Sequence, residues 1–222
     1  MAIKLGIIGA KGRMGGLVQE AAAGNPQIDI TALADKNSDA AALVKSIDVL
    51  IDFSTPAGAV KYALLAAEHQ KPLVSGTTGL NQAQQEEIVK AAKKTAIVQA
   101  ANFSIGVNVL SNLVKEAAAR LGPDFKIFIE ETHHIHKKDA PSGTALLLAR
   151  SAQEKGEVPI QSFRKGEVVG DHAVFFKSEA EELVFSHHAA NRALFAQGAL
   201  RAAAWIKAKP PGLYSMKDVL GL

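Results

Sequence analysis

The segment from Ile3 to Asp35 constrains the fold of this chain more than any other. An apolar run, Ile3–Ile8, leads into Gly9-Ala10-Lys11-Gly12-Arg13-Met14-Gly15. A helical stretch with Leu17, Val18 and Ala21–Ala23 follows and stops at Gly24-Asn25-Pro26. A second apolar run, Ile28–Ala34, ends at Asp35. The order is strand, glycine turn, helix, strand, acid. Gly15 and Asp35 lie 20 residues apart, the separation expected between a dinucleotide-binding turn and the carboxylate that holds the adenosine ribose. Gly9 permits the tight turn, Gly12 lets a pyrophosphate approach the backbone, and Gly15 lets helix pack on sheet. The spacing is G-x-x-G-x-x-G rather than G-x-G-x-x-G, so a glycine-rich turn of some other α/β protein is the competing reading. Asp35 favours NADH through the ribose hydroxyls. Lys36 either attracts the extra phosphate of NADPH or is a solvated loop lysine.

The alternation continues. A short polar segment, Asn37–Ile47, is expected to hold one or two helical turns. Strands are expected at Asp48–Phe53, Pro72–Ser75 and Ala96–Ala100, with helices from Ser54-Thr55-Pro56 to about His69 and over Asn81–Lys94. Short apolar strands alternating with helices predict a parallel, doubly wound sheet, whose ligands sit beyond the carboxyl ends of the strands. Three such ends carry small, hydroxyl or amide residues: Phe53-Ser54-Thr55, Gly76-Thr77-Thr78 and Ala101-Asn102-Phe103. Turn chemistry explains any one of them; together they point to a cofactor.

After Asn102 the pattern changes. Ile105–Leu121 reads as a longer helix stopped by Gly122-Pro123, and Phe125–Thr132 alternates apolar and polar as a half-exposed strand does. Helix Gly143–Lys155 and strand segments Gln161–Arg164, Val168–Val169, His172–Lys177 and Glu181–His187 follow, the last two joined by a Ser178-Glu179-Ala180 turn. Asn191–Lys207 reads as a helix, ended by Pro210-Pro211-Gly212 and a short tail. The fold class is therefore α/β: a Rossmann-type parallel doubly wound sheet with an inserted second α+β domain built on a mixed sheet. The expected division is 1–102 for dinucleotide binding, 103–190 for substrate binding and oligomerisation, and 191–222 returning to the first domain.

The chemistry concentrates in Glu130–Asp139. Three imidazoles (His133, His134, His136), two ammonium groups (Lys137, Lys138) and three carboxylates fall within ten residues. Imidazoles exchange protons near neutral pH. Pro141-Ser142-Gly143-Thr144 then opens a helix, and amides at a helix start bind anions. The combined reading is an acid–base site with an anion cradle. Two arms of a metal site at His134 and His136, with Asp139 as a third, conflict with Lys137 and Lys138, which repel a dication. No metal is expected. A phosphate loop is a further alternative, but the Gly-Lys-Ser/Thr ending is missing. His187-His188, at a strand end, is assigned a structural or supporting role.

Composition removes other classes. With 222 residues and 48% apolar, a sizeable core forms. The net charge of +3, from 25 basic and 22 acidic residues, comes without a basic block that tracks nucleic acid. There is no cysteine, hence no disulfide, thiolate nucleophile or cysteine-ligated zinc. The start of the chain runs straight into a strand with no separate signal peptide, and no apolar run approaches a membrane span. A cytoplasmic protein without nucleic-acid or membrane partners is expected.

The motifs resemble those of the dihydrodipicolinate reductase family. They are Gly9-x-x-Gly12-Arg13-Met14-Gly15, Asp52-Phe53-Ser54-x-Pro56, Gly76-Thr77-Thr78-Gly79, Ala101-Asn102-Phe103-Ser104-x-Gly106-Val107-Asn108, Glu131-x-His133-His134-x-His136-Lys137-x-Asp139-Ala140-Pro141-Ser142-Gly143-Thr144-Ala145 and Asn191-Arg192-x-x-Phe195-Ala196-x-Gly198-Ala199. They run nearly the whole length in order. The resemblance implies reduction of a cyclic dicarboxylate, 4-hydroxy-tetrahydrodipicolinate, to tetrahydrodipicolinate with NADH or NADPH, in lysine and diaminopimelate biosynthesis. It implies His133 as proton donor or acceptor, Lys137 as proton donor, and His134 with Gly143 and Thr144 as holders of substrate carboxylates. It implies cofactor contacts at Gly9, Ala10, Lys11, Gly12, Arg13, Met14, Asp35, Gly76, Thr77, Thr78, Ala100, Ala101, Asn102 and Phe103, with Lys36 beside them. It also implies a homotetramer joined through the second domain's sheet. Holding a nicotinamide against the substrate requires the two domains to close, so hinges are expected near Asn102 and Asn191. The segment between Asp35 and Asp48 is shorter than in many members, which bears on the adenosine pocket rather than the chemistry. Another Rossmann-type oxidoreductase acting on a small dicarboxylate, or a nucleotide-binding sensor without turnover, are the competing readings. The sensor has no use for His133 and Lys137, and a neutral substrate has no use for the anion cradle.

Overall fold

The computed structural model describes residues 2–35, 38, 40–152 and 156–222. Lys36, expected near the cofactor, and Lys155, expected to end a helix, lie outside the described residues. The elements in chain order are β1 (Ile3–Ile8), α1 (Arg13–Ala22), β2 (Ile28–Ala34), α2 (Ala40–Lys45), β3 (Val49–Asp52), α3 (Pro56–Glu68), β4 (Leu73–Ser75), α4 (Gln82–Ala92), β5 (Ala96–Gln99), α5 (Ile105–Arg120), β6 (Lys126–His133), α6 (Gly143–Ser151), β7 (Ile160–Arg164), β8 (Asp171–Lys177), β9 (Glu182–His188), α7 (Ala193–Ile206), β10 (Gly212–Tyr214) and α8 (Met216–Leu220). They form two compact units. One comprises the residues up to Phe103 together with Ala193–Gly221, and the other is Ser104–Arg192.

The first unit is built on six parallel strands in the order β10-β5-β4-β3-β1-β2. Both faces are covered, so its central strands are apolar throughout rather than alternating. Leu5, Ile7, Val49, Ile51, Val74 and Val98 point into a core shared with α1, α7 and α8. Ile8, Leu50, Leu73 and Ile97 point the other way, into a core with α2, α3 and α4. The order reverses between β1 and β3, which makes their carboxyl ends the topological switch point. The helix starts are set locally. Thr55 caps α3 through Gly58 N–H with Pro56 in its first turn, and Asn81 with Gln84 forms a capping box on α4.

The second unit is a mixed sheet, β7-β6-β8-β9, with β6 and β7 parallel and the other pairs antiparallel. One face buries Ile127, Ile129, Val174 and Phe176 against α5 and α6. On the other face Phe128 and Phe175 stack with ring centroids 4.4 Å apart, next to Val184, which is 43% exposed.

One expectation is corrected and another is filled in. Val168–Val169 is not a strand: Lys165 N–H bonds to His133 O at 2.8 Å and Val168 N–H to Lys165 O at 3.3 Å, so the chain turns there before β8. The tail after Pro210-Pro211 contributes β10, which pairs with β5 and extends the sheet of the first unit, and the capped helix α8.

Candidate active site

In the first unit the glycine turn follows β1. Gly9 has φ +76°, and a Cβ there would lie 2.6 Å from Phe53 O. A Cβ on Gly15 would lie 2.2 Å from Gly9 O. Both positions therefore exclude a side chain, and helix and turn close to within backbone contact. Gly12 caps α1 without a side-chain bond, so the first-turn amides present a bare helix N-terminus. Asp35 follows β2, and Lys11 N–H approaches its Oδ1 at 3.4 Å. A turn with no side chain in the way, a bare helix start and a carboxylate at the end of the next strand fit a dinucleotide.

The end of β3 carries a buried hub. The Asp52 carboxylate accepts bonds from Ser54 Oγ at 2.5 Å, Ser75 Oγ at 2.9 Å and Thr77 Oγ1 at 2.8 Å. Burial pushes its pKa up, and the hydroxyl donors work against that rise. These bonds fix Ser54 and the Gly76-Thr77-Thr78 segment relative to each other. Gly76 has no room for a Cβ, which would fall 2.0 Å from the Phe53 ring. The Phe103 ring is buried and stands edge-on to Phe53 at 5.7 Å, and Ala100, Ala101 and Asn102 precede it after the end of β5.

In the second unit β6 alternates strictly, with Ile127, Ile129, Glu131 and His133 on the buried face. The strand ends at His133, so alternation does not carry on to His134 and His136, which follow in a turn with rings 6.2 Å apart. His133 Nδ1 bonds to Glu131 Oε2. A carboxylate only accepts, so Nδ1 carries the hydrogen and Nε2 is the nitrogen left for proton exchange. Burial lowers the His133 pKa, offset in part by Glu131. Burial also raises the Glu131 carboxyl, but bonds from Ser162, Arg164 and His133 outweigh it and hold the pKa below the usual range.

Lys137 Nζ pairs with both Asp139 oxygens, at 2.8 and 2.7 Å. His134 Nε2 accepts from Arg192 Nη2 at 3.3 Å. Ser142 caps α6 through Ala145 N–H at 3.1 Å, which places Gly143 and Thr144 in the helix's first turn. His172 Nε2 lies 3.3 Å from the same Ser142 hydroxyl. His187 Nε2 lies 3.4 Å from Ser104 Oγ, and His188 pairs with Asp171. Glu131, His133 and His172 are the residues, among those described, whose donor atoms cluster closely enough for a metal. The donor set does not suit one: Arg164 already holds Glu131 Oε1 at 3.0 Å and His133 holds Oε2. Sequence reasoning assigned no role to Glu131, Arg164 or His172, because their meeting depends on strand register.

A Rossmann-type unit with a dinucleotide cradle, joined in one chain to a unit carrying a histidine–lysine cluster and a helix start, defines the class of two-domain pyridine-nucleotide oxidoreductases. The family described as dihydrodipicolinate reductase matches in both parts, its N-terminus over residues 3–103 and its C-terminus over residues 106–220. The 4-hydroxy-tetrahydrodipicolinate reductase of Zymomonas mobilis is 45% identical over 251 residues, covering 99% of this chain and 98% of its own. That of Methanocorpusculum labreanum is 39% identical over 251 residues, covering 99% and 100%. Both alignments are longer than the chain, so these relatives carry segments that it lacks. The solved structure of a dipicolinate-bound dihydrodipicolinate reductase from Paenisporosarcina sp. TG-14 has the same fold, with a TM-score of 0.83 at 23% identity over 97% of this chain and 98% of that one. The chain belongs to the dihydrodipicolinate reductase family, whose members use NADH or NADPH.

Proposed function

We propose that the chain reduces 4-hydroxy-tetrahydrodipicolinate to tetrahydrodipicolinate, with NADH or NADPH as reductant, in lysine and diaminopimelate biosynthesis. The first unit is assigned to the cofactor and Ser104–Arg192 to the substrate. The nicotinamide supplies a hydride to the ring carbon that loses its hydroxyl as water, and the reaction consumes one proton. The residues of the chain handle that proton and hold the dicarboxylate. Lys137 brings an ammonium that delivers a proton and neutralises a carboxylate. His133 exchanges a proton at Nε2 while Glu131 fixes Nδ1–H. The α6 start at Gly143–Thr144, with His134, receives the carboxylates. Positioned acid–base groups contribute about 10²–10⁴-fold.

The observation that carries this reading is that His133, Lys137 and the capped start of α6 all belong to one unit and one short stretch of chain, each held by its own bond: His133 to Glu131, Lys137 to Asp139 and Ala145 N–H to Ser142. Among the described residues no helix is long and apolar enough to cross a membrane, and a cytoplasmic homotetramer that buries the Phe128–Phe175–Val184 face accompanies the proposal. The experiment is oxidation of NADH and of NADPH followed by absorbance, with substrate generated in place from pyruvate and aspartate semialdehyde by the preceding synthase. Turnover is expected with at least one cofactor. Absence of turnover with both, while both bind, would overturn the assignment.

A further inference from the structure

Arg164 ends β7, and the parallel register places it opposite His133 while Ser162 stands opposite Glu131. Its guanidinium makes three bonds that converge on the site. Nη1 donates to Glu131 Oε1 at 3.0 Å, Nε to Lys137 O at 3.3 Å, and Nη2 to Asp139 O at 2.6 Å. One planar group thus joins the carboxylate that orients His133 to the backbone of the loop that carries Lys137 and its partner Asp139. A planar fork with several fixed donors is suited to this, whereas an ammonium is a single point charge. The side chain is 21% exposed and Glu131 is fully buried.

We propose that Arg164, with Glu131, is a positioning pair for the reaction: it locks His133 and Lys137 into one geometry, so that both proton-handling groups meet the same substrate. The role assigned to the pair is positioning, not contact with substrate or cofactor. It acts through the tautomer of His133 and the placement of the Lys137 loop. Without the guanidinium, a buried Glu131 loses a charge-assisted partner and takes up a proton more readily. A protonated carboxyl no longer holds Nδ1–H as an acceptor-only group does. The proposal rests on the roles assigned above to His133 and Lys137.

The test compares Arg164→Lys, Glu131→Gln and the double variant with the parent, measuring kcat, the dissociation constant of NADH and the thermal midpoint. A displacement of about 1 Å in a catalytic group costs on the order of 10²-fold. The expected result is a kcat lowered by about 10- to 100-fold in each single variant, with NADH affinity changed by less than about twofold, because the cofactor cradle is in the other unit. The double variant is expected to fall no further than the worse single one, since the two residues act as one device. A folded Arg164→Lys enzyme with kcat within about twofold of the parent would overturn the proposal, as would losses that multiply in the double variant. If Arg164→Lys fails to fold, Glu131→Gln, which keeps shape and removes charge, decides by the same kcat criterion. His133→Ala run alongside separates the two levels. Full turnover in that variant overturns the site assignment and the positioning pair with it. Lost turnover there, beside a normal Arg164→Lys, overturns the pair alone.

Discussion

The imidazole of His172 stands edge-on to that of His133, ring centroids 5.1 Å apart at an interplanar angle of 76°. His172 is 4% exposed, and burial, helped by the neighbouring His133, lowers its pKa from 6.5 to about 4. It is therefore neutral in the folded protein near pH 7. The unfolded chain takes up a proton at His172 as pH falls through about 6.5, and the folded chain resists until about 4. Stability from this residue is complete above the unfolded value and is lost as pH falls across that window, by about 3 kcal/mol. His133 and His187 are shifted in the same direction, also by burial first. Denaturant unfolding of the parent between pH 7.5 and 4.5 is expected to show a steady decline (about that range). His172→Asn is expected to start lower and decline less. An unchanged slope in the variant would remove His172 as the source.

Lys137 carries the prediction most specific to the chemistry. Its ammonium pairs with Asp139, which is 60% exposed at its side chain, so truncation leaves a solvated carboxylate. Lys137→Ala is expected to keep its thermal midpoint and its NADH affinity while kcat falls by about 10²–10⁴-fold. Lys137→Arg is expected to recover part of the substrate affinity and little of the rate, because a guanidinium does not give up its proton. A near-parental rate in Lys137→Ala would remove this residue from the mechanism.

Asp35 follows β2, and Lys11 Nζ lies 4.0 Å from its Oδ2. Two ribose hydroxyls bonded to one carboxylate are worth about 1.5–3 kcal/mol. Asp35→Ala is expected to weaken NADH by about tenfold or more on that basis. NADPH, whose phosphate replaces one hydroxyl, should lose less. Titration of both cofactors checks this, and equal losses would show that Asp35 does not read the ribose.

Gly198 lies on α7 against the backbone of Phe103, where an added Cβ would come within 1.8 Å of the Phe103 carbonyl oxygen. Backbone does not yield as a flexible side chain does, so Gly198→Ala must push α7 or the chain at Phe103 out of place. Overpacking of this kind costs about 1–3 kcal/mol. A lowered thermal midpoint and weaker cofactor binding are expected together, since Ala100–Phe103 are among the assigned cofactor segments. Gly16, where a Cβ meets nothing within 4 Å, serves as control: Gly16→Ala, in the same kind of helix interior, is expected to stabilise by a few tenths to about 1 kcal/mol.

What the sequence made legible was local. The run Ile28–Ala34 is a strand of those same bounds, and Thr55-Pro56 starts a helix, because turn, cap and periodicity signals act over a few residues. The glycine turn was readable for the same reason. Three things were not. β10 is three residues long and follows two prolines, so it has no pattern of its own and exists through pairing with β5. The strand at His133 stops where Lys165 N–H takes its carbonyl, which separates it from His134 and His136 although the sequence runs on. Arg164, 31 residues from His133, meets Glu131 only because β7 lies parallel to β6 in a given register. The proposed catalytic stretch could be located from composition, but not the residues proposed to hold it in place.

The outer face of the second sheet makes the last prediction. Phe128, Phe175 and Val184 stand in one cross-strand row, and Phe163 on β7, 40% exposed, lies on the same face opposite Thr132. In a single chain this row meets water, and an apolar strip of aromatic and branched residues on a sheet face is the composition expected of a surface that associates. The proposed homotetramer, pairing these sheets, would cover it. Light scattering of the parent is expected to give four times the chain mass of 23.4 kDa. Val184→Glu places a charge at the edge-strand end of the row and is expected to yield smaller species. Because Val184 points away from the buried Glu131 and His133 face, the variant should keep its fold, and NADH should still bind. A monomeric parent would remove the assembly and leave the row without a partner. An unchanged tetramer in Val184→Glu would place the interface elsewhere on the chain.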